Sequence, residues 1–367
     1  MKIKIKQSTL AQGLELTSRI SVKHVTLPVL QCVLIEVKER SVILRTTNLE
    51  IGIEVLLQDV QVESCGSVAV PVNVLMSVVQ QCSVKSLVEL SVNEDGVVEV
   101  STETTSSTIK PIAHDEFPTI SQLTVEPLHI QKDMFSLGIK TTAFAASNSS
   151  IKPELGSIHI HQKKEQTVTF VATDSFRLME KTVPQKGCIL PHSILLPQKN
   201  ALELARVLDM VNEEVELLID ENQCALRFKN GVYITSRLVS GTFPDYEQII
   251  PKEYVTNSIV LKQDLQNVLK KTSVFLNKFL QVVVSVSSKR IVVSSQNNET
   301  GSLTDEIPAQ TDGDELVLSF NQSYLTDSLT YFSDDSLRLQ FAGIGRPLVI
   351  VGVSDTSTKY LVMPMNK

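Results

Sequence analysis

The sequence predicts an α+β fold made of three tandem copies of one unit, each with two helices packed on largely antiparallel sheets. Three observations carry that expectation. "LRTTNLEI" (44–51) and "FVATDSFRL" (170–178) place Asn48 and Asp174, each after a threonine, 126 positions apart. "SVAVPV" (67–72) and "SILLPQ" (193–198) align on Pro71 and Pro197 at the same offset. "DEFPTI" (115–120) and "GTFPDY" (241–246) align on Phe117 and Phe243, again 126 apart. Unrelated anchors sharing one offset mark a duplication. A third copy follows at an offset of 123, which sets Asp174 on Asn297, Pro197 on Phe320 and Arg237 on Tyr360. Polar, proline-bearing stretches separate the copies, so the expected domains are 1–125, 126–253 and 254–367.

The elements recur in one order. Each copy opens on a short alternating strand and then a helix, at 9–20, 132–145 and 262–275. In the last of these Leu265, Val268, Leu269 and Thr272 share a face at helical spacing. Alternating strands follow ("CVLIEV", "SIHIHQ", "LQVVVSVS"), then a strand ending in the Thr-Asn or Thr-Asp turn. A further strand enters the second helix at Pro71, Pro197 or Phe320, giving helices at 72–82, 198–210 and 321–332. Proline is expected in the first helical turn, where its missing N–H has no partner to lose. A meander closes each copy, clearest at 215–239, where turns at Asp220–Asn222 and Asn230–Gly231 separate three strands.

Composition narrows the function. No uncharged apolar run is long enough for a membrane span, and "MKIKIKQSTL" reads as a strand and not as a signal peptide. Five cysteines without CxxC spacing read as buried free thiols of a reducing, cytoplasmic compartment. A net charge of −7 argues against gripping nucleic acid over the whole surface, while leaving room for a locally basic face.

Catalytic constellations are missing from the sequence: it has no GxSxG, Walker-type or HExxH motif, and "GIGRP" (343–347) lacks the Gly and helix of a phosphate cradle. His159 and His161 face the same way on a strand, but without a third ligand a polar strand face is the better reading than a metal site. Asp174 with Arg177 reads as a pair that caps a turn and orients a loop. The first copy has Asn48 and no matching arginine, so the turn is architecture and the surface at 175–178 is individual. No enzymatic activity, cofactor or metal is expected.

"VTLPVL" near 26, "VATDSFRL" at 171, "LVSGTFPDY" at 238, "FNQSYL" at 320 and "YLVMPM" at 360 occur in an order and spacing that resembles the beta sliding clamps, the processivity subunits of bacterial DNA polymerase III. The resemblance spans the whole chain. It implies a head-to-tail homodimer whose six domains form a ring, with helices lining the hole. Such a ring encircles double-stranded DNA without sequence preference and tethers the polymerase catalytic subunit, the clamp loader and repair proteins. It also implies a partner-peptide cleft between domains 2 and 3 for short motifs bearing Gln and Leu or Phe. Carried over by motif, the cleft comprises Leu155, Thr173, Ser175, Phe176, Arg177, Leu178, Pro244, Ile249, Phe279, Asn321, Tyr324, Leu361, Met363, Pro364 and Met365. The dimer seam falls to Ser107 and Ile109 facing Ser273, Val274 and Leu276. From face and loop position, Lys23, His24, Lys152, Lys199, Arg206 and Lys270 are expected to face DNA. The chain departs from the family pattern at Gln248, where an arginine is frequent, and at Pro153 and Glu154, where some members carry tyrosines. Ser107 stands where a larger apolar residue can sit, and 71–82 carries no charge. A repeat scaffold that binds proteins only is the alternative of another class.

Overall fold

The computed structural model describes residues 1–20, 27–149 and 151–365, so Lys23 and His24 lie outside it. Six helices are described: α1 (Gln7–Ser18), α2 (Val72–Gln81), α3 (Lys132–Ala143), α4 (Gln198–Met210), α5 (Lys262–Thr272) and α6 (Gln322–Leu329). They fall where the repeat put them, within a few residues at each end. The α5 stripe of Leu265, Val268, Leu269 and Thr272 is buried as its spacing predicts. Strands alternate likewise: in Lys2–Lys6 the isoleucines at 3 and 5 are fully buried between exposed or half-buried lysines.

Two compact units emerge: Met1–Ser136 with Lys199–Leu238, and Leu137–Gln198 with Val239–Lys367. The division cuts through the second copy because each of its halves shares a sheet with a neighbouring copy. In the first unit an eight-stranded sheet runs from the first copy's Ile51–Leu57 directly onto the second copy's closing strand, Val232–Arg237, with Ile51 opposite Ser236. In the second unit a nine-stranded sheet does the same: Arg177–Pro184 pairs with the third copy's closing strand, Thr358–Val362, with Arg177 opposite Val362. The first unit also holds a five-stranded sheet ending on Ser106–Ile109, and the second a four-stranded sheet ending on Gly301–Pro308. Those two strands are therefore sheet edges.

The repeated turn is the same object twice. Asn48 Oδ1 accepts from the Glu50 and Ile51 amides at 3.0 and 2.9 Å, and Thr47 Oγ1 donates to the Ile51 carbonyl. Asp174 Oδ1 accepts from the Phe176 and Arg177 amides, both at 2.9 Å, and Thr173 Oγ1 donates to the Arg177 carbonyl. Leu49 and Ser175 take the left-handed conformation at φ 77° and 78°. An Asx side chain that bonds its own backbone two and three residues on holds such a turn without help from glycine. Close approach also repeats. A Cβ on Gly13 would meet Leu57 Cδ2 at 2.7 Å, and one on Gly138 would meet Phe170 Cδ2 at 2.3 Å, so only glycine lets α1 and α3 sit this near their sheets.

Four expectations are corrected. Pro71 and Pro197 end strands and stand just before the first helical residue, not within the first turn. The third-copy equivalent is Asn321 and not Phe320, because Pro71, Pro197 and Asn321 lie opposite Cys32, Ser157 and Gln281 in matching registers. Asn321 caps α6 through its side chain, which accepts from the Ser323 and Tyr324 amides. In the closing strand, register equates Ser236 with Val362, which rules out setting Arg237 on Tyr360. Loops of unequal length shift the offset from segment to segment. Finally, all five cysteines are free, but Cys65 is exposed and Cys82 is half-buried. No helix among the described residues is long and apolar enough to cross a membrane.

Candidate functional site

The turn at 173–178 sets Arg177 at the start of a central strand and points its guanidinium along the sheet end. Nε bonds Asp174 Oδ2 at 3.0 Å, Nη2 donates to the Phe144 carbonyl at 3.0 Å, and Nη1 reaches Asp327 Oδ2 on α6 at 2.9 Å. The Phe144 and Tyr324 rings lie 5.3 and 4.6 Å from its central carbon. Burial alone would lower the Arg177 pKa, but Asp327, Tyr360 and Asp174 hold it above the ordinary value, so the group is always charged.

Around this anchor the structure gathers most of the expected cleft. Leu178 lies opposite Leu361 in the sheet. The Met363 amide donates to the Phe176 carbonyl and the Met365 amide to the Ser319 carbonyl, both at 2.8 Å, so the tail 363–365 spans from the 176 turn to the strand leading into α6. Gln322 N bonds Leu280 O at 2.8 Å, which ties the Phe279 loop to Asn321. Pro244 and Ile249 ride on a loop anchored by Phe243 and Tyr246, which pack with Leu178, Leu361 and Met363. Leu155 and Thr173 are buried, so they support this surface from within. Gln248, at the position of family departure, is exposed and bonds Asp245 at 2.7 Å.

The duplication supplies an internal control. The Arg237 amide donates to the Glu50 carbonyl at 2.8 Å, as Met363 does to Phe176. Yet the first copy puts Glu50, Ile51 and Leu123 where the second has Phe176, Arg177 and Ile249. Leu123 is 7% exposed, whereas Phe176 is 61% exposed, Ile249 50% and Phe279 58%. The first turn exposes Leu49 at 47%, so what the architecture does not demand is an exposed aromatic at 176 and an exposed isoleucine at 249, and exposed apolar groups gathered at one site mark interaction surfaces.

Beneath the 243–249 loop lies a group that sequence reasoning undervalued. His159 and His161 stack at 4.5 Å, His159 stacks on Phe243 at 4.8 Å, and Tyr246 donates to Glu180 at 2.7 Å. Glu180 also pairs with Lys163 at 2.8 Å and Lys359 at 3.4 Å. Burial would raise the Glu180 pKa, but these partners bring it below the usual carboxylate range. Burial, with the charges of His161 and Lys163, pushes His159 down to about 4. Among the described residues no cluster of three or more metal-ligating side chains exists.

The remaining expected residues divide. Lys152, Lys199 and Lys270 are exposed. Arg206 is engaged within its unit: Nε pairs with Glu203 at 2.7 Å and Nη2 caps α1 by donating to the Leu16 carbonyl at 2.9 Å, which leaves it poorly placed for phosphate. Ile109 is buried, and Ser107 half-buried, on their edge strand. Ser273 and Val274 are exposed, while the Leu276 carbonyl accepts from Asn297 at 2.8 Å.

With the geometry in hand, comparison with known proteins is specific. Residues 1–121, 129–245 and 247–366 match the N-terminal, central and C-terminal domain families of the DNA polymerase III beta subunit. The chain is 25% identical to the beta sliding clamp of Pseudomonas putida, with 100% of both chains covered. The DNA polymerase III beta subunit of Thermotoga maritima superimposes with a TM-score of 0.94 at 24% identity, covering 100% of this chain and 99% of the other. A sliding clamp from Pseudomonas aeruginosa bound to griselimycin gives 0.92 at 24% identity, with full coverage of both.

Proposed function

The chain belongs to the family of DNA polymerase III beta subunits, the sliding clamps, and from that premise we propose that it closes as a head-to-tail homodimer around duplex DNA, in the cytoplasm, and tethers partner proteins without catalysis of its own. The observation that carries the closure is a pairing rule. Twice, the fourth strand of one copy pairs with the closing strand of the next: Ile51–Leu57 with Val232–Arg237, and Arg177–Pro184 with Thr358–Val362. The fourth strand of copy three, Gly301–Pro308, and the closing strand of copy one, Ser106–Ile109, remain as edges. An edge offers a row of unpaired N–H and C=O groups, and a heterologous contact between these two edges repeats until it closes. Applying the register of the existing seams sets Gly301 opposite Ile109 of the partner subunit, and Leu303 opposite Ser107 of the partner subunit.

Cysteines at both positions test that register. The Leu303→Cys, Ser107→Cys protein is expected to form a covalent dimer on mild oxidation, while each single variant and the unaltered chain do not. A monomer by light scattering at micromolar concentration contradicts the closed resting state. The domain limits at 1–125, 126–253 and 254–367 stand with this reading, since each span carries one full set of elements.

The surface built from 173–178, the 243–249 loop, Phe279, Asn321, Tyr324 and the tail 361–365 is the docking site for partner peptides in this reading. Its support is the internal control: the second seam exposes Phe176 and Ile249 where the first has Glu50 and the buried Leu123, although the first turn also exposes Leu49. Lys152, Lys199 and Lys270, with Lys23 and His24, serve as weak contacts to passing DNA, which suits sliding better than a tight phosphate grip.

A further inference from the structure

Arg177 meets two carboxylates and a carbonyl, and the three are not equivalent. Asp174 cannot leave, because its Oδ1 holds the Phe176 and Arg177 amides and its side chain is only 15% exposed. The Phe144 carbonyl is main chain and neutral. Asp327 is 47% exposed, sits on α6 and comes from 150 residues away in the sequence. It alone can swing off without undoing the turn. The pairing is peculiar to the second seam. In the first copy Ile51 replaces Arg177, and the α4 residue matching Asp327, with Pro197 set on Asn321, is Glu203, which pairs with Arg206 instead. Exposed Phe176 lies next to Arg177 in sequence, and Met363 bonds its carbonyl.

We propose that Asp327 is a specificity-determining residue: it supplies a carboxylate to Arg177 in the empty site, and a docking peptide that carries its own carboxylate takes that place. This rests on the reading of the 173–178 surface as a peptide site and adds the partner's chemistry: apolar anchors with a carboxylate beside them. Asp327 then acts as a filter. A segment with no carboxylate leaves the Arg177–Asp327 pair intact, and one with a carboxylate must compete against it.

The test uses the full-length protein and three fluorescent peptides bearing Gln, Leu and Phe anchors. One has an aspartate between the anchors and a capped terminus, one has asparagine there and a capped terminus, and one has asparagine with a free terminal carboxylate. In Asp327→Asn the aspartate peptide is expected to gain roughly three- to tenfold in affinity over the wild type, the range of an exposed charge-assisted contact, while the capped asparagine peptide stays unchanged. A gain confined to the free-terminus peptide also supports exchange and assigns the carboxylate to a chain end. Adding Arg177→Gln is expected to abolish either gain. Equal shifts for all three peptides, or a gain that survives Arg177→Gln, overturn the exchange while the peptide site stands. Failure of every peptide to bind the wild type overturns the site and the exchange with it.

Discussion

Asp174 does two jobs that can be separated. Its Oδ1 closes the turn as Asn48 does, and its Oδ2 pairs with Arg177. Asp174→Asn is expected to keep the turn and lower the melting temperature little, while Asp174→Ala and Asn48→Ala each lose two bonds to backbone amides and cost about 1 kcal/mol or more; equal effects from Asp174→Asn and Asp174→Ala would show that the ion pair and not the turn matters. The stacked imidazoles give a pH signature. His159 has a folded pKa of about 4 against an ordinary 6.5, so the unfolded chain takes up a proton that the folded chain resists between those values. The contribution of His159 is complete above 6.5 and is lost as the pH falls toward 4, and Glu180, also depressed, adds a loss in the same direction. Thermal melts from pH 7.5 to 4.5 are expected to show a falling melting temperature, with a shallower slope in His159→Phe. At this scale the threonine–Asx turn was legible in the sequence because it repeats. Asp327 was not: nothing in "SYLTDSL" says that it meets Arg177 at a distance of 150 residues.

Helices and strands follow from periodicity, and so were readable: an apolar stripe at helical spacing buries one face, and alternation buries one side of a strand. Helix entry was less legible. Proline and Asn321 solve the same problem by different chemistry, one by a fixed φ and one by accepting two amides, so residue identity misaligned the third copy by a position. Sheet continuity between copies was hidden for another reason: pairing partners lie far apart in sequence and share no motif. Close packing makes a prediction here. Gly138→Ala would press a methyl into Phe170 and is expected to destabilise by about 1–3 kcal/mol, whereas Gly187→Ala, where a Cβ meets nothing within 4 Å, tests only the cost of its φ of 77°. A melting temperature unchanged by Gly138→Ala would mean that α3 sits further from its sheet than described.

On the scale of the whole molecule, an acidic chain that works on DNA has to hold it by topology. With a net charge of −7, a tight phosphate grip is unavailable to most of the surface. Binding to a short open duplex is therefore expected to be weak and to vanish by about 200 mM salt, since few phosphates are neutralised. Threefold repetition was legible as a period, and the two leftover strand edges follow from the sheets. The central claim is that these edges meet in a second copy and enclose the duplex. It is tested most directly by loading the protein onto nicked circular DNA with a clamp loader, washing in high salt, and then linearising the circle. The account predicts retention on the circle and loss from the free ends on cutting. Retention that is unchanged by linearisation, or no retention on the circle, would contradict it.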